Sequence, residues 1–463
     1  MRAKRELHLH KKGGITLKTS ILKVVSILTV IALGLSVSGC SGEQKEASPA
    51  SGSGSAAASS ASLKAEEGAT IKFTYWEGSP SDKKAWDLVL GSFKKDHPEI
   101  TLKTQTYPSS TYPSQLDTMI AGNNWPDVMR YTYQRLGKFK ESDVLLDLTN
   151  MISKESVDDL LPAYKAALTS DGKLVGMPHH TDTIALYYNK EMFKKSGIRI
   201  PKDVNDGWTW DELKQYAKKL KEDNHLDYAF GGIWEKGSGY RYLPFVYMNG
   251  GALLNEDGTK VTIDSPKALA AFKLYEDLRK DNLISKTAFT QEPQNNMMFV
   301  AKKLAFVFAG SWHLSYMQQN MPDNWGVTYM PQVDGKTTSD MGGNALVAYK
   351  GTKYPKAAAI FIDYITNKSN MKAFCEAGNF LPVRQSLIKE GLNYSSFKDE
   401  MKVFSDIIAT VDSKLASDET SNKFQQLNVI LSEKMDPLVV NGSATAEQTV
   451  EVMKKEMQAV LDN

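Results

Sequence analysis

Gly172–Phe193 reads GKLVGMPHHTDTIALYYNKEMF. Gly176 and Pro178 punctuate it, so the chain changes direction there. Ile184–Tyr188 is an apolar run of the length of a buried strand. Asn189-Lys190 ends that run, and Glu191–Lys195 opens a helix. Between the turn and the strand stand five polar residues, His179, His180, Thr181, Asp182 and Thr183, where a buried strand would carry Val or Ile. Polar groups at a strand entry need partners. Either solvent supplies them, in a loop before an ordinary strand, or a ligand does.

The order and spacing of this stretch resemble the first interlobe crossing of the extracytoplasmic sugar-binding proteins of ABC importers, the maltose-binding-protein-like group (extracellular solute-binding proteins of family 1). In that family a similar Gly-Lys…Pro…acid…Tyr-Asn-Lys run carries the chain between lobes through the ligand cleft. The resemblance implies an α/β, two-lobed periplasmic-binding-protein-like (class II) fold with hinge crossings between lobes. It places residues 69–180 and 344–380 in lobe 1, and 181–343 and 381–463 in lobe 2.

Composition agrees with a large globular protein. The chain has 463 residues, 41% hydrophobic and 24% charged, enough for two or three domains. Its net charge of +2 is unevenly spread: residues 1–39 hold seven Lys/Arg and one acid, +6, which leaves −4 for the remainder. A mildly acidic body lacks the basic stripe that nucleic acid requires.

Residues 1–23 are basic and Val24–Leu35 is continuously apolar, the first two regions of a secretory signal. Val37-Ser38-Gly39-Cys40 resembles a bacterial lipobox, which implies that Cys40 becomes the lipidated first residue after removal of 1–39. Ser41–Gly68 is rich in Ser, Ala and Gly and cannot bury a core. Residues 40–68 therefore read as a disordered tether with an end-to-end distance of about 30 Å. Cys375, the only other cysteine, reads as a small buried hydrophobe.

Ile71–Trp76 alternates like a strand and stops at Trp76-Glu77-Gly78, so Trp76 and Glu77 are candidates at a strand's carboxyl end. Trp86, Val89, Leu90, Phe93 and His97 share one helical face and read as core. Ile100–Gln105 is the next strand. Asn124–Tyr131, NWPDVMRY, follows a helix ending near Gly122. It resembles the family's Pro-Asp-apolar strand, whose following aromatic, here Tyr131, stacks on ligand; Asp127 reads as a turn residue. Thr209-Trp210-Asp211-Glu212 is a capping box, and Ser265-Pro266 starts another helix. Gly231–Gly251 is rich in Gly and aromatics; family position favours Trp234 and Tyr240 at the cleft. Lys302–Trp312, KKLAFVFAGSW, resembles the family's Gly-x-Trp element, which implies a stacking role for Trp312. Met341–Tyr349 resembles the second crossing. Gly378–Arg384 resembles the third, implying an Arg near the ligand. Residues 385–463 read as helices closing the second lobe.

Enzyme motifs are absent: no GxSxG, no phosphate loop, no complete dinucleotide fingerprint and no HExxH. His179 and His180, if extended, point to opposite faces and do not chelate one metal together. The family resemblance implies a monomeric binder of a carbohydrate, an oligosaccharide, with no cofactor and no metal. It would deliver that ligand to ABC permease subunits from the extracytoplasmic face of the membrane. Trp76, Tyr131, Trp234, Tyr240 and Trp312 would stack on sugar. Glu77, Asp182, Asn344 and Arg384 would meet hydroxyls, and Gly343 would allow close backbone approach. A secreted glycosidase or lyase using Glu77 and Asp182 as an acid/base pair is the alternative from another class. The same fold binding a non-sugar solute is a third.

Overall fold

Why the first strand and helix form is plain from their residues. Ile71, Phe73 and Tyr75 alternate inward along β1 (Thr70–Glu77). Ser79 then caps the helix Pro80–Asp96, its Oγ accepting from Asp82 N at 3.1 Å, with Pro80 pre-set for the first turn. The computed structural model describes residues 63–232, 237–286 and 295–463. The expected secretory signal, the expected lipidation site Cys40, the expected tether up to residue 62 and Trp234 lie outside the described residues.

Five strands form a first sheet in the order β2-β1-β3-β11-β6, where β2 is Thr101–Pro108, β3 Val128–Thr132, β6 Met177–His180 and β11 Asn344–Ala348. The two-residue strands β4 (Thr169–Ser170) and β5 (Lys173–Leu174) pair as a small hairpin before it closes. The β1 strand runs parallel to β2 and β3, while β11 is antiparallel to β3 and β6. A second sheet has the order β10-β7-β9-β8, with β7 Ile184–Asn189, β8 Phe230–Gly231, β9 Phe306–Gly310 and β10 Trp325–Thr328. Every residue of β9 and β11 is buried, the continuous apolar pattern of strands covered on both faces.

The chain passes from the first sheet to the second across only residues 181–183, between β6 and β7. It returns between β10 and β11, over residues 329–343. The third passage comes later than the 378–384 stretch expected from sequence. Arg384, Gln385 and Ser386 remain tied to the first body: Gln385 N donates to Asp159 O at 2.7 Å and Ser386 Oγ to Asp159 Oδ2 at 2.7 Å. After that stretch, the helix Lys398–Ile408 packs on the second sheet, with Phe404 beside Tyr187 and Asp406 accepting from Tyr329 OH at 2.7 Å. The remaining residues to Leu461 are helical, as expected.

The tether also ends sooner than composition suggests. Leu63 and Ala65 pack against the core. Glu66 accepts hydrogen bonds from Lys356 N (2.9 Å) and Ala357 N (3.0 Å), an acid at the first turn of the helix Pro355–Thr366. A Ser/Ala/Gly count cannot see that one glutamate meets a helix start nearly 300 residues away.

The first body's core centres on Phe73, which contacts Trp86 (5.3 Å between centroids) and Phe361 (4.9 Å) and is fully buried. Phe73→Ala should destabilise the protein by about 3–5 kcal/mol, measured by urea unfolding followed through tryptophan emission.

Candidate binding site

Trp76, Asp182 and Asn344 stand at strand ends, the last two at the crossings. At the end of β1, the half-buried Trp76 ring carries the Arg130 guanidinium over its face, 4.2 Å from the centroid. Arg130 stands on β3 and is held from two sides. Its Nη1 donates to Trp76 O at 2.7 Å and to Asp82 Oδ2 at 2.8 Å. Both side chains of the Arg130–Asp82 pair are 2% exposed. Asp82 in turn accepts from Gly78 N at 2.9 Å, fixing the turn between β1 and its helix. Asn344, at the start of β11, completes this half. Its side-chain amide lies 3.2 Å from His180 Nε2, and in the orientation its donors and acceptors require it accepts from Arg130 Nη2 at 3.3 Å.

The opposite half comes from the second sheet. Trp312 follows β9 in a single 3-10 turn, and Tyr240 lies in the turn Gly239–Tyr242. One guanidinium serves both rings: Arg241 Cζ is 4.9 Å from the Tyr240 centroid and 4.6 Å from that of Trp312. Arg241 Nη1 is fixed by fully buried Asp340, 2.6 Å away on the second crossing. Cation–π contact on one face of each ring holds the rings in place.

Asp182 lies electrically between the halves. Burial pushes its carboxyl up from 3.8 to about 7; Asp340 adds to the rise, while Arg241, Arg130 and the Gly343 N–H oppose it. Arg130 belongs to the first body and Arg241 to the second, so both halves converge on this one carboxyl. Asp182 is 8% exposed, and its Oδ1 has no hydrogen-bond partner among the described residues.

The other expected residues fall as follows. Glu77 is part-exposed, 3.9 Å from Lys83 Nζ. Tyr131 is 2% exposed, its ring packed 5.2 Å from Phe139, a core position on β3. Gly343 has φ +96° and does allow a close approach, but the close neighbour is the chain itself: a Cβ there would lie 2.3 Å from His180 O and 2.5 Å from Thr181 Cα. Arg384 is removed from the set. Its Nε and Nη2 donate to Thr366 O at 3.0 and 2.7 Å, Nη1 to Ser156 O at 2.9 Å and Nη2 also to Ser156 Oγ at 2.8 Å, so its fork ties the first body together. His179 and His180 correct a second expectation. Their rings meet, Nδ1 to Nδ1 at 3.0 Å, because the pairing of β6 with β11 shifts register at Asn344/Ala345. Burial drives both imidazoles well below their usual range, so they are neutral. No cluster of three or more metal-ligating side chains occurs among the described residues.

Arg130, Arg241 and Asp340 were not anticipated. Arg130 had a usable signal, a charge inside the apolar strand Val128-Met129-Arg130-Tyr131. Asp340 and Arg241 had none beyond their neighbours.

Residues 89–398 match the family model for bacterial extracellular solute-binding proteins. The chain belongs to that family. It is similar to the maltodextrin-binding protein of Bacillus subtilis, 29% identical over 290 residues, 58% of this chain and 63% of that one. It is also similar to the arabinooligosaccharide-binding protein of the same organism, 23% identical over 361 residues, 74% and 81% of the two chains. In fold it resembles the ABC substrate-binding protein of Listeria monocytogenes solved in complex with cycloalternan, at TM-score 0.72 and 22% identity, covering 85% of this chain and 99% of that one. Relatives and structural neighbours are binding proteins, and the family is extracytoplasmic. No helix among the described residues is long and apolar enough to cross a membrane.

A prediction follows from Asp182. Its folded value is raised, so the stability it contributes is fully present below pH 3.8 and is lost as pH rises through about 7. The melting temperature of Asp182→Asn relative to wild type should therefore move in the variant's favour between pH 4 and pH 8. A constant difference across that range would contradict the assignment.

Proposed function

We propose that this protein is the ligand-capturing component of an ABC importer and that its ligand is a carbohydrate held between the two bodies. The observation that carries the reading is the arrangement around Asp182. Half-buried indoles, Trp76 at the end of one sheet's first strand and Trp312 after the other's β9, each lie under a guanidinium, Arg130 and Arg241, and both guanidinium groups act on the Asp182 carboxyl. Sugars have apolar C–H faces and hydroxyl rims. Rings cover the faces, and carboxylate and amide groups take the rim with charge-assisted hydrogen bonds. The oligosaccharide-binding relatives support the same class of ligand.

Ligand held from both sides favours the closed arrangement by its differential affinity for it. The crossings at 181–183 and 329–343 are where backbone angles change. Lobe 1 then comprises 69–180 and 344–380, with the segment to Glu390 added to it. Lobe 2 comprises 181–343 and the helices from Lys398. No bond of the ligand is broken; the closed form hands it to permease subunits as a monomer. After removal of residues 1–39, lipid on Cys40 would hold the protein at the membrane's outer face.

Two measurements test this reading. A thermal-shift screen over mono- and oligosaccharides should yield a ligand that raises the melting temperature by mass action. Trp312→Ala should abolish that shift while keeping the native circular dichroism; an undiminished shift removes Trp312 from the site. Cys40→Ser should release the protein from the membrane fraction into the soluble one, whereas an unchanged membrane fraction overturns the anchor.

A further inference from the structure

Among the described residues, one buried carboxyl of the site, Asp182, is left without a matching cation. Arg130 is matched by Asp82 at 2.8 Å and Arg241 by Asp340 at 2.6 Å. Two buried carboxyls remain, Asp182 and Glu419, and among the described residues neither has a cation in ion-pair contact; burial and then Asp340 raise the Glu419 carboxyl well above the usual range, so it keeps its proton and adds no charge. Glu419 Oε2 is held by neutral donors, Gln134 Nε2 at 3.1 Å and Met341 N at 3.2 Å. Its Oε1, like Asp182 Oδ1, has no partner among the described residues. The groups that face Asp182 are Arg130 from β3, Arg241 from the Gly239–Tyr242 turn, Asp340 from the second crossing, and the phenols of Tyr133, Tyr164 and Tyr240. Tyr164 also feels Asp340 and Glu419, so the three acids share one neighbourhood. His313, beside Arg241, is pushed down to about 4 by burial and brings no charge.

We propose that the cleft selects a sugar bearing a protonated amine, and that Asp182 is the residue that reads it. This rests on the carbohydrate reading and adds the charge of the ligand to it. A neutral hydroxyl satisfies Oδ1 but leaves the ionised form of Asp182 buried and uncancelled, which is costly. An ammonium supplies up to three donors and cancels that charge in one contact. An anionic sugar, a uronate or a sugar phosphate, would place further negative charge beside the Asp182 carboxylate, and like charges in a desolvated site exclude each other.

The test uses the full-length protein. A screen of neutral, amino and acidic sugars first identifies those that bind. For the best neutral binder, each hydroxyl in turn is replaced by an amine, by an N-acetyl group or, at the primary position, by a carboxylate, and each product is titrated calorimetrically at pH 7.5. One amine isomer should bind at least tenfold more tightly than its neutral parent, and N-acetylation should erase the gain. The carboxylate should bind at least tenfold more weakly. In Asp182→Asn the advantage of the amine should fall below twofold. Should that variant misfold, wild type at pH 5.5 serves instead, where Asp182 is protonated and the advantage should likewise shrink. If no amine isomer outperforms the neutral parent, or the advantage survives both conditions, the inference is overturned while the carbohydrate reading stands. If no sugar of any charge binds, the carbohydrate reading itself fails.

Discussion

The site depends on backbone contact where the crossings pass one another. Thr181 exchanges hydrogen bonds with Leu381 (2.8 and 3.1 Å) and sends its Oγ1 to Gly342 O at 3.1 Å, while Tyr164 OH meets that same Oγ1 at 2.5 Å. Three segments remote in sequence are locked at one residue. Gly343 is required because its neighbour leaves no room for a Cβ. Asp182 and Asn344 are each one residue from this junction, so their positions are set by main chain rather than by side-chain rotamers.

Around that centre the aromatic platforms are built in the same way twice. Each half supplies an indole, a guanidinium over its face and a buried carboxylate that fixes the guanidinium: Trp76, Arg130 and Asp82 in one, Trp312, Arg241 and Asp340 in the other. A buried guanidinium without its acid would cost several kcal/mol, so each acid is as necessary as the ring it steadies. The arrangement stiffens both rings before any ligand arrives, which lowers the ordering cost of binding.

The fold was legible because its signals are local. Alternation showed β1, the apolar run showed β7, and caps showed the helices at Thr209 and Ser265. The site was legible only in part. Trp76, Asp182, Trp312 and Asn344 stand at strand ends, a position that sequence can flag. Arg384 occupies a comparable position, yet its guanidinium is consumed by Ser156 and Thr366, partners about 230 and 18 residues away. Arg241 was hidden because its meaning lies in two rings and an acid, and Asp340 is 99 residues on. The contact between the two His rings was missed because one register shift undoes the alternation on which the expectation rested.

The grip of Glu66 on the helix Pro355–Thr366 bears on how force reaches the molecule. The described chain starts on the first body, where Glu66 meets the helix that covers the first sheet. A pull arriving from the amino-terminal side is thus delivered to one jaw alone. The body built on the second sheet receives that pull only through the segments that connect it to the first.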